Sequence, residues 1–187
     1  MEKITSLRHH LLVAMPSVRE GCFAHAVIYV CEHQPQGTLG LMINRPLVTP
    51  LSFVFKQLNL EVKNPQQVER PLLFGGPMQM ERGFVIHRPY GRWHSSLLLE
   101  DEVTVTTSND IIRAFADNSG PQDALVTLGF VGWDSARLEK EMLANTWLVC
   151  PYRAELLYDV PFEQRWEQAG LSIGVTMSHL VEGMGHA

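Results

Sequence analysis

Short runs of apolar and β-branched residues dominate the first half of the chain and predict strands. One run covers Leu11–Met15, and a second, His25–Val30, is rich in β-branched and aromatic residues. Positions 34–37 carry an early proline and a late glycine, and a third apolar run, Leu39–Ile43, follows them. A turn of this composition between two apolar runs is typical of a β-hairpin. The second and third runs are therefore predicted to pair with each other.

Four other segments place apolar residues at helical spacing. In the first of them, Thr49 supplies an N-cap and Pro50 a first-turn proline. The other three also begin at capping residues or at a proline. The predicted helices lie near residues 50–60, 108–117, 135–144 and 161–169. The polar segment 61–70 is predicted to be a loop.

The run Leu125–Val131 has the strongest strand character in the chain and few polar breaks. It is predicted to be a central strand that is buried on both faces. Strands and helices are interspersed without strict alternation, which favours an α+β fold. We therefore expect residues 1–187 to form a single domain, with a mixed, largely antiparallel β-sheet flanked by about four helices.

Charge and composition argue against two classes of protein, those that bind nucleic acids and those that span a membrane. Apolar residues make up 45% of the chain, and the net charge is −5 with a pI near 5.9. Nucleic-acid-binding proteins usually carry a basic cluster or stripe, and the sequence has neither. The acidic charge therefore argues against direct binding to DNA, and sequence-specific binding at physiological salt is not expected. No apolar run is long enough to predict a membrane span.

The chain has three cysteines, Cys22, Cys31 and Cys150, without the spacing of a disulfide framework. This pattern predicts reduced thiols and a cytoplasmic protein. A zinc site made by Cys22, His25, Cys31 and His33 is disfavoured because their spacing is unusual for that metal. No metal and no cofactor are therefore expected.

Candidate chemistry is concentrated where apolar runs meet Gly, Pro, Arg and His. Cys31 and His33 lie two residues apart on a predicted strand, so their side chains share a face. One interpretation makes Cys31 a thiolate that His33 assists, which would also make it the first cysteine to react with an alkylating reagent. The other interpretation makes Cys31 a packing residue and His33 a solvated side chain.

Two further junctions also leave alternatives open. Gly75 and Gly76 either present backbone N–H groups to an anion, with Arg82 nearby, or form a tight turn. Arg45, next to Asn44, either holds a carboxylate or phosphate ligand or ties down a carboxylate of the protein itself. All these residues lie at predicted strand ends, and they are expected to converge. The candidate binding surface consists of Cys31, His33, Asn44, Arg45, Gly75, Gly76, Arg82 and His87.

The same junctions resemble the YqgE/AlgH family of small bacterial proteins. Among the matching segments are 29–33, 44–46, 75–77 and 82–84, and the match is collinear over nearly the whole chain. The resemblance implies a single cytosolic α+β domain of undefined biochemical activity. Part of the family's name comes from a proposed regulatory role in alginate synthesis. The resemblance implies no catalytic residues.

The sequence therefore predicts a regulatory or partner-binding domain whose partner is a protein or a small ligand. The first alternative is a small-ligand-binding protein or an undescribed enzyme that uses Cys31, His33 and Arg45 near the Gly75–Gly76 turn. The second is a direct transcriptional regulator, which the acidic charge disfavours. A concave pocket lined by the candidate residues would favour a ligand, whereas a flat apolar patch would favour a partner.

Overall fold

Nine strands form one curled sheet in the computed structural model, which describes residues 6–19 and 21–183. The strands are β1 (His10–Ala14), β2 (Val27–Gln34), β3 (Gly37–Met42), β4 (Leu72–Phe74), β5 (Met78–Arg88), β6 (Ser96–Leu98), β7 (Thr104–Thr106), β8 (Asp123–Trp133) and β9 (Trp147–Pro151). Their order is β6-β7-β5-β8-β3-β2-β1-β9, and β4 pairs with β8 beside this path. Within the described residues, β4–β8 is the one parallel pair. The prediction of a mixed, largely antiparallel sheet is confirmed.

Seven α-helices flank the sheet within the described residues. They are α1 (Ser52–Gln57), α2 (Pro65–Val68), α3 (Asn109–Ala116), α4 (Ser135–Leu143), α5 (Ala154–Tyr158), α6 (Arg165–Leu171) and α7 (Met177–Gly183). Each of the four predicted regions contains a helix, although a 3-10 turn occupies the first part of the last region. The sequence did not predict α2, α5 or α7, so the expected number of about four was too low.

The predicted loop at 61–70 was wrong for a local reason. The side chain of Asn64 accepts a hydrogen bond from the backbone N–H of Gln66 at 3.0 Å, and Pro65 occupies the first helical position. An N-cap followed by proline is a helix start. The resulting helix has only four residues, which is too short for apolar periodicity to reveal it.

The predicted hairpin and the predicted central strand are both present. Strands β2 and β3 pair antiparallel, with Ile28 opposite Met42 and Gln34 opposite Gly37. Strand β8 pairs through its first half with β4 and β5, and through its last residues with β3. Gly129, which lies between these two halves, has a φ of +73°. The long strand thus changes partners at a glycine.

Both faces of the β1–β2–β3 region are covered, and alternate residues enter two different cores. In β2, Val27, Tyr29 and Cys31 join one core, which helices α5, α6 and α7 close. Ile28 and Val30 join the opposite core, which Leu138 of α4 helps to close. This arrangement explains why the predicted strands read as nearly continuous apolar runs.

A third core lies under α1 and α3, on the β4, β5 and β8 part of the sheet. Phe55 of α1 and Phe115 of α3 are each 1% exposed and pack with buried residues of these strands. The gap between α1 and α3 stays partly open at the surface. That gap forms the groove described below.

Candidate binding site

The geometry around Cys31 and His33 does not favour the interpretation in which they form an activated thiol pair. Cys31 is 1% exposed, and it lies at the β-bulge of β2 with its Sγ 3.8 Å from the carbonyl oxygen of Tyr29. Burial, reinforced by the charge of Glu32, raises the pKa of the Cys31 thiol. The half-buried His33 instead places its Nδ1 3.1 Å from Thr38 Oγ1. Because nucleophilic attack requires a thiolate, the geometry favours the packing interpretation of Cys31.

Native alkylation should therefore modify Cys22 first. Cys22 is partly exposed, whereas Cys31 and Cys150 are buried, and burial raises the pKa of the Cys150 thiol to about 11. Iodoacetamide at neutral pH, followed by peptide mass spectrometry, should show label at Cys22 and slow, unfolding-dependent label at the other two. This order reverses the one expected for an activated Cys31. Labelling of Cys31 ahead of Cys22 would restore the functional interpretation.

Asn44 and Arg45 hold the opposite end of the same hairpin together. The Asn44 side chain accepts a hydrogen bond from Val27 N at 2.9 Å and donates one to His25 O at 2.8 Å. The Arg45 guanidinium donates to the carbonyl oxygen of Ala24. Among the described residues, no carboxylate lies within ion-pair distance of Arg45. Both side chains thus bind backbone groups of the segment that leads into β2.

The Gly75–Gly76 segment crosses closely over β8. A Cβ added to Gly75 would lie 2.3 Å from the carbonyl oxygen of Gly129, and one added to Gly76 would lie 2.2 Å from the carbonyl carbon of Phe130. The N–H of Gly75 already donates to Leu128 O at 2.7 Å. The glycines therefore permit two backbones to touch, and the tight-turn interpretation is favoured over an anion nest.

Arg82 lies near Cys31, whereas His87 lies in the core. The Arg82 guanidinium carbon lies 5.1 Å from the ring centre of Phe84, and Arg82 shares a cleft of about 260 Å³ with Cys31. His87 is fully buried, and its two ring nitrogens contact Thr106 Oγ1 at 2.9 Å and Pro89 O at 3.3 Å. Burial lowers the pKa of His87, although the contact with Pro89 opposes this. His87 is thus a core residue.

The structure divides the predicted candidate residues into separate groups. Cys31 and His33 lie beside the hairpin turn, with Arg82 near Cys31, whereas Asn44 and Arg45 lie at the far end of the hairpin. Gly75 joins that far end, because its carbonyl oxygen accepts a hydrogen bond from Met42 N at 2.8 Å. The expected convergence of these residues at one site is therefore not what the fold produces. A hairpin separates its turn from its open end however close they are in sequence.

A different surface forms a concave site. It is a groove of about 470 Å³ between α1, β5 and the start of α3. The side chains of Val85 and Val126, each 2% exposed, form its floor. Glu81 is the one charged residue among those that line it. The polar remainder of the lining consists of Gln57, Thr106, Thr107, Ser108 and Asn109.

The rim of this groove is apolar and exposed. Phe53 of α1 is 48% exposed, and Met80 of β5 is 36% exposed. Neither residue belonged to the predicted candidate surface. Phe53 does not belong to the apolar face of this helix, which consists of Leu51, Val54, Phe55 and Leu58. An aromatic residue outside that face was the signal available in the sequence, because solvent-facing helix positions are normally polar.

Residues 6–19 and 21–183 contain neither a metal-binding cluster nor a membrane-spanning helix. No three His, Cys, Asp or Glu side chains are arranged so that they could hold a metal ion. No helix there has both the length and the apolar content needed to cross a membrane.

Comparison with known proteins places the chain in a family. The AlgH-like family, DUF179, matches residues 11–178. A UPF0301 protein of Legionella pneumophila strain Corby is 58% identical over 187 residues, with all of both chains covered. A UPF0301 protein of Nitrosococcus oceani is 42% identical over 189 residues, again with both chains fully covered.

Solved structures agree with this assignment. The solution structure of the AlgH protein from Pseudomonas aeruginosa has a TM-score of 0.80 and 39% identity, and the match covers 100% of this chain and 99% of that one. The crystal structure of protein DIP2367 from Corynebacterium diphtheriae, at 18% identity and a TM-score of 0.74 over 97% and 94% of the chains, shares the fold. The chain therefore belongs to the AlgH-like family of UPF0301 proteins.

Proposed function

We propose that this protein is a regulatory domain that acts by binding a protein partner, and that the groove between α1, β5 and α3 is its binding surface. The observation that carries the proposal is the exposed apolar rim, formed by Phe53 and Met80, above a fully apolar floor. A molecule confined to the groove would leave this rim in water. An apolar segment of a partner would cover both the floor and the rim.

The chemistry of the groove indicates what kind of segment it would accept. Methionine adapts its shape to different apolar partners, and half-exposed aromatic residues are frequent anchors at interfaces. Glu81 and the net charge of −5 favour a neutral or basic partner over an acidic one. We therefore expect an apolar anchor residue flanked by Lys or Arg. Any regulatory effect would then depend on occupancy of the groove.

The groove also supports a small apolar ligand as a second candidate function. Its volume of about 470 Å³ lies within the range of small-molecule sites, which are concave and mostly apolar. This candidate does not use Cys31, His33 or Arg45. An enzyme built on those three residues has no geometric support, because the hairpin keeps Cys31 and Arg45 apart. A cytoplasmic location stays a prediction from the unpaired cysteines.

The groove can be tested with a photocrosslinking amino acid at position 53. The same group at Leu143, which is 85% exposed on α4, is the control. We expect the position 53 variant to capture a discrete protein in living bacteria, and the Leu143 variant not to capture it. Met80→Glu should weaken binding of the captured partner by about 2 kcal/mol, or roughly 30-fold, as expected for a charge placed in an apolar contact.

Other results would change the conclusion. Native mass spectrometry of the purified protein would detect a bound small molecule, and its loss in Met80→Glu but not in Leu143→Glu would favour the second candidate. Equal capture at positions 53 and 143, together with unchanged binding in Met80→Glu, would rule out the groove as the functional surface.

A further inference from the structure

Two arginines without carboxylate partners line a second cavity. This cavity, of about 380 Å³, lies between α2 and the start of α6, and it is separate from the groove. Arg70 and Arg165 both line it. Among the described residues, neither guanidinium has a carboxylate oxygen within 4.0 Å. Buried cations are normally paired, so this arrangement needs an explanation.

Arg165 is held rigidly and is almost completely buried. Its side chain is 2% exposed. The guanidinium donates from Nε to Val160 O at 2.9 Å and from Nη1 to Ile43 O at 2.5 Å. Its central carbon lies 4.4 Å from the Phe162 ring centre. Its remaining N–H groups have no protein acceptor in the described part of the chain. Burial lowers the pKa of Arg165 to about 10, and the charge of Asp159 only partly offsets this.

Arg70 is held in a similar way. Its Nη1 and Nη2 atoms donate to Ala124 O at 3.1 Å and Gln122 O at 3.4 Å, and its guanidinium carbon lies 4.6 Å from the ring centre of Phe115. Burial lowers the pKa of Arg70 as well. Both guanidinium groups are therefore fixed in place by backbone carbonyls and an aromatic ring, which are neutral partners. Each charge is left without a counter-ion.

Two residues that line the same cavity carry buried polar atoms without hydrogen-bond partners within the described chain. Tyr158 Oη and Gln67 Oε1 are buried and have no hydrogen-bond partner among the described residues, and both side chains line the cavity. Burial raises the pKa of Tyr158, so its hydroxyl keeps its proton and can donate. The Tyr158 hydroxyl can donate to an anion, whereas Gln67 Oε1 can only accept and does not point to one.

We propose that the cavity between Arg70 and Arg165 binds an oxyanion, and that its ligand is a small phosphorylated compound. A guanidinium group binds phosphate through two N–H donors in a fixed fork. The three oxygens of a terminal phosphoryl group can accept from both arginines, and a small shift of the Tyr158 hydroxyl, which is buried beside the cavity, would add a third donor. The cavity volume leaves room for more than the phosphoryl group itself.

The acidic groups near the cavity do not cancel this charge. Glu69 also lines it, but its side chain is exposed. Asp159 raises the pKa of Arg165 without reaching ion-pair distance. Asp123, near Tyr158, is already paired with Arg88 at 2.7 Å. The two arginines therefore outnumber the one acidic residue among those that line the cavity.

Calorimetric titration of the full-length protein with pyrophosphate at constant ionic strength tests the proposal. Citrate at the same ionic strength tests whether carboxylates serve equally well. We expect saturable pyrophosphate binding, weakened about tenfold or more in Arg70→Gln and by a smaller factor in Tyr158→Phe, because hydrogen bonds to charged groups contribute most. Arg137→Gln removes an exposed arginine on α4 and should bind pyrophosphate as the wild type does.

Tyr158→Phe keeps the test informative if an arginine variant fails to fold, because it removes a single hydroxyl that has no partner. Three results would overturn the proposal. They are the absence of saturable pyrophosphate binding, tighter binding of citrate than of pyrophosphate, and equal binding by Arg137→Gln, Arg70→Gln and Tyr158→Phe. Because none of these variants touches the groove, failure here leaves the partner-binding proposal untouched.

Discussion

Replacing Gly129 with alanine should markedly lower the stability of the protein, because the backbone conformation and a close backbone crossing both oppose an added methyl group. At φ +73°, an alanine already costs about 1–2 kcal/mol. Its Cβ would also lie 2.3 Å from Gly76 O and 3.0 Å from Met78 O, which are backbone atoms that cannot turn aside. We expect a total loss of about 3 kcal/mol or more, and a melting temperature lower by roughly 6–12 °C.

A matched control separates backbone conformation from the close crossing. Gly174 has a φ of +81°, and an added Cβ there would meet nothing within 4 Å. Gly174→Ala should therefore show only the conformational cost of about 1–2 kcal/mol. Thermal denaturation followed by circular dichroism measures both variants. If Gly129→Ala and Gly174→Ala melted at the same temperature, the contact between the Gly75–Gly76 segment and β8 would not be as tight as the structure shows.

Replacing Glu141 with alanine should have an effect of similar size. One carboxylate oxygen of Glu141 accepts hydrogen bonds from Trp133 Nε1 at 2.9 Å and from Trp147 Nε1 at 2.8 Å, and the other pairs with Arg137 at 2.9 Å. Both tryptophans are at most 5% exposed. The variant would leave two nearly buried N–H donors without an acceptor, at a cost of about 3 kcal/mol in the free energy of unfolding.

Two further variants and a pH series test this explanation. Glu139→Ala, on the exposed side of the same helix, should change stability by no more than about 0.5 kcal/mol. Glu141→Gln keeps an acceptor for the tryptophans and should cost less than Glu141→Ala. Urea denaturation at fixed pH measures all three. Equal losses in Glu139→Ala and Glu141→Ala would show that the tryptophan contacts contribute nothing.

The pH dependence follows from the shifted pKa of Glu141. Burial alone would raise that pKa, but the hydrogen bonds from Trp147, Trp133 and Arg137 outweigh burial, and the pKa is lowered. A lowered carboxyl pKa contributes stability that is present above the unfolded value, about 4.3, and is lost as the pH falls through the folded value. The stability difference between wild type and Glu141→Gln should therefore shrink in acid.

Several features could be predicted because they depend on local chemistry. The turn at positions 34–37 determined the β2–β3 hairpin, and the apolar run Leu125–Val131 identified the central strand β8. Residues four apart on a helix are neighbours, and Arg137 pairs with Glu141 at 2.9 Å in this way on α4. The motifs at the strand ends likewise carried the family resemblance, which is now confirmed.

Other features depend on which strands become neighbours, and only the tertiary structure decided them. The two tryptophans that share Glu141 come from β8 and β9. Their spacing along the chain does not predict that both indole N–H groups meet at this carboxylate. Gly75 and Gly129 lie far apart in the chain, but they are the two sides of one backbone crossing. Arg70 and Arg165, which lie 95 positions apart in the chain, meet at one cavity.

The candidate residues form separate groups for the same physical reason. Cys31 and Arg45 were both predicted at strand ends, but Cys31 lies in the middle of β2, at its bulge, and Arg45 follows the end of β3, several residues farther along the hairpin. Residue types and spacings therefore determined the family, the sheet and most of the helices of this protein. The packing of α1 and α3 against β5 and β8 decided where its groove lies, because a concave surface exists only once distant segments have come together.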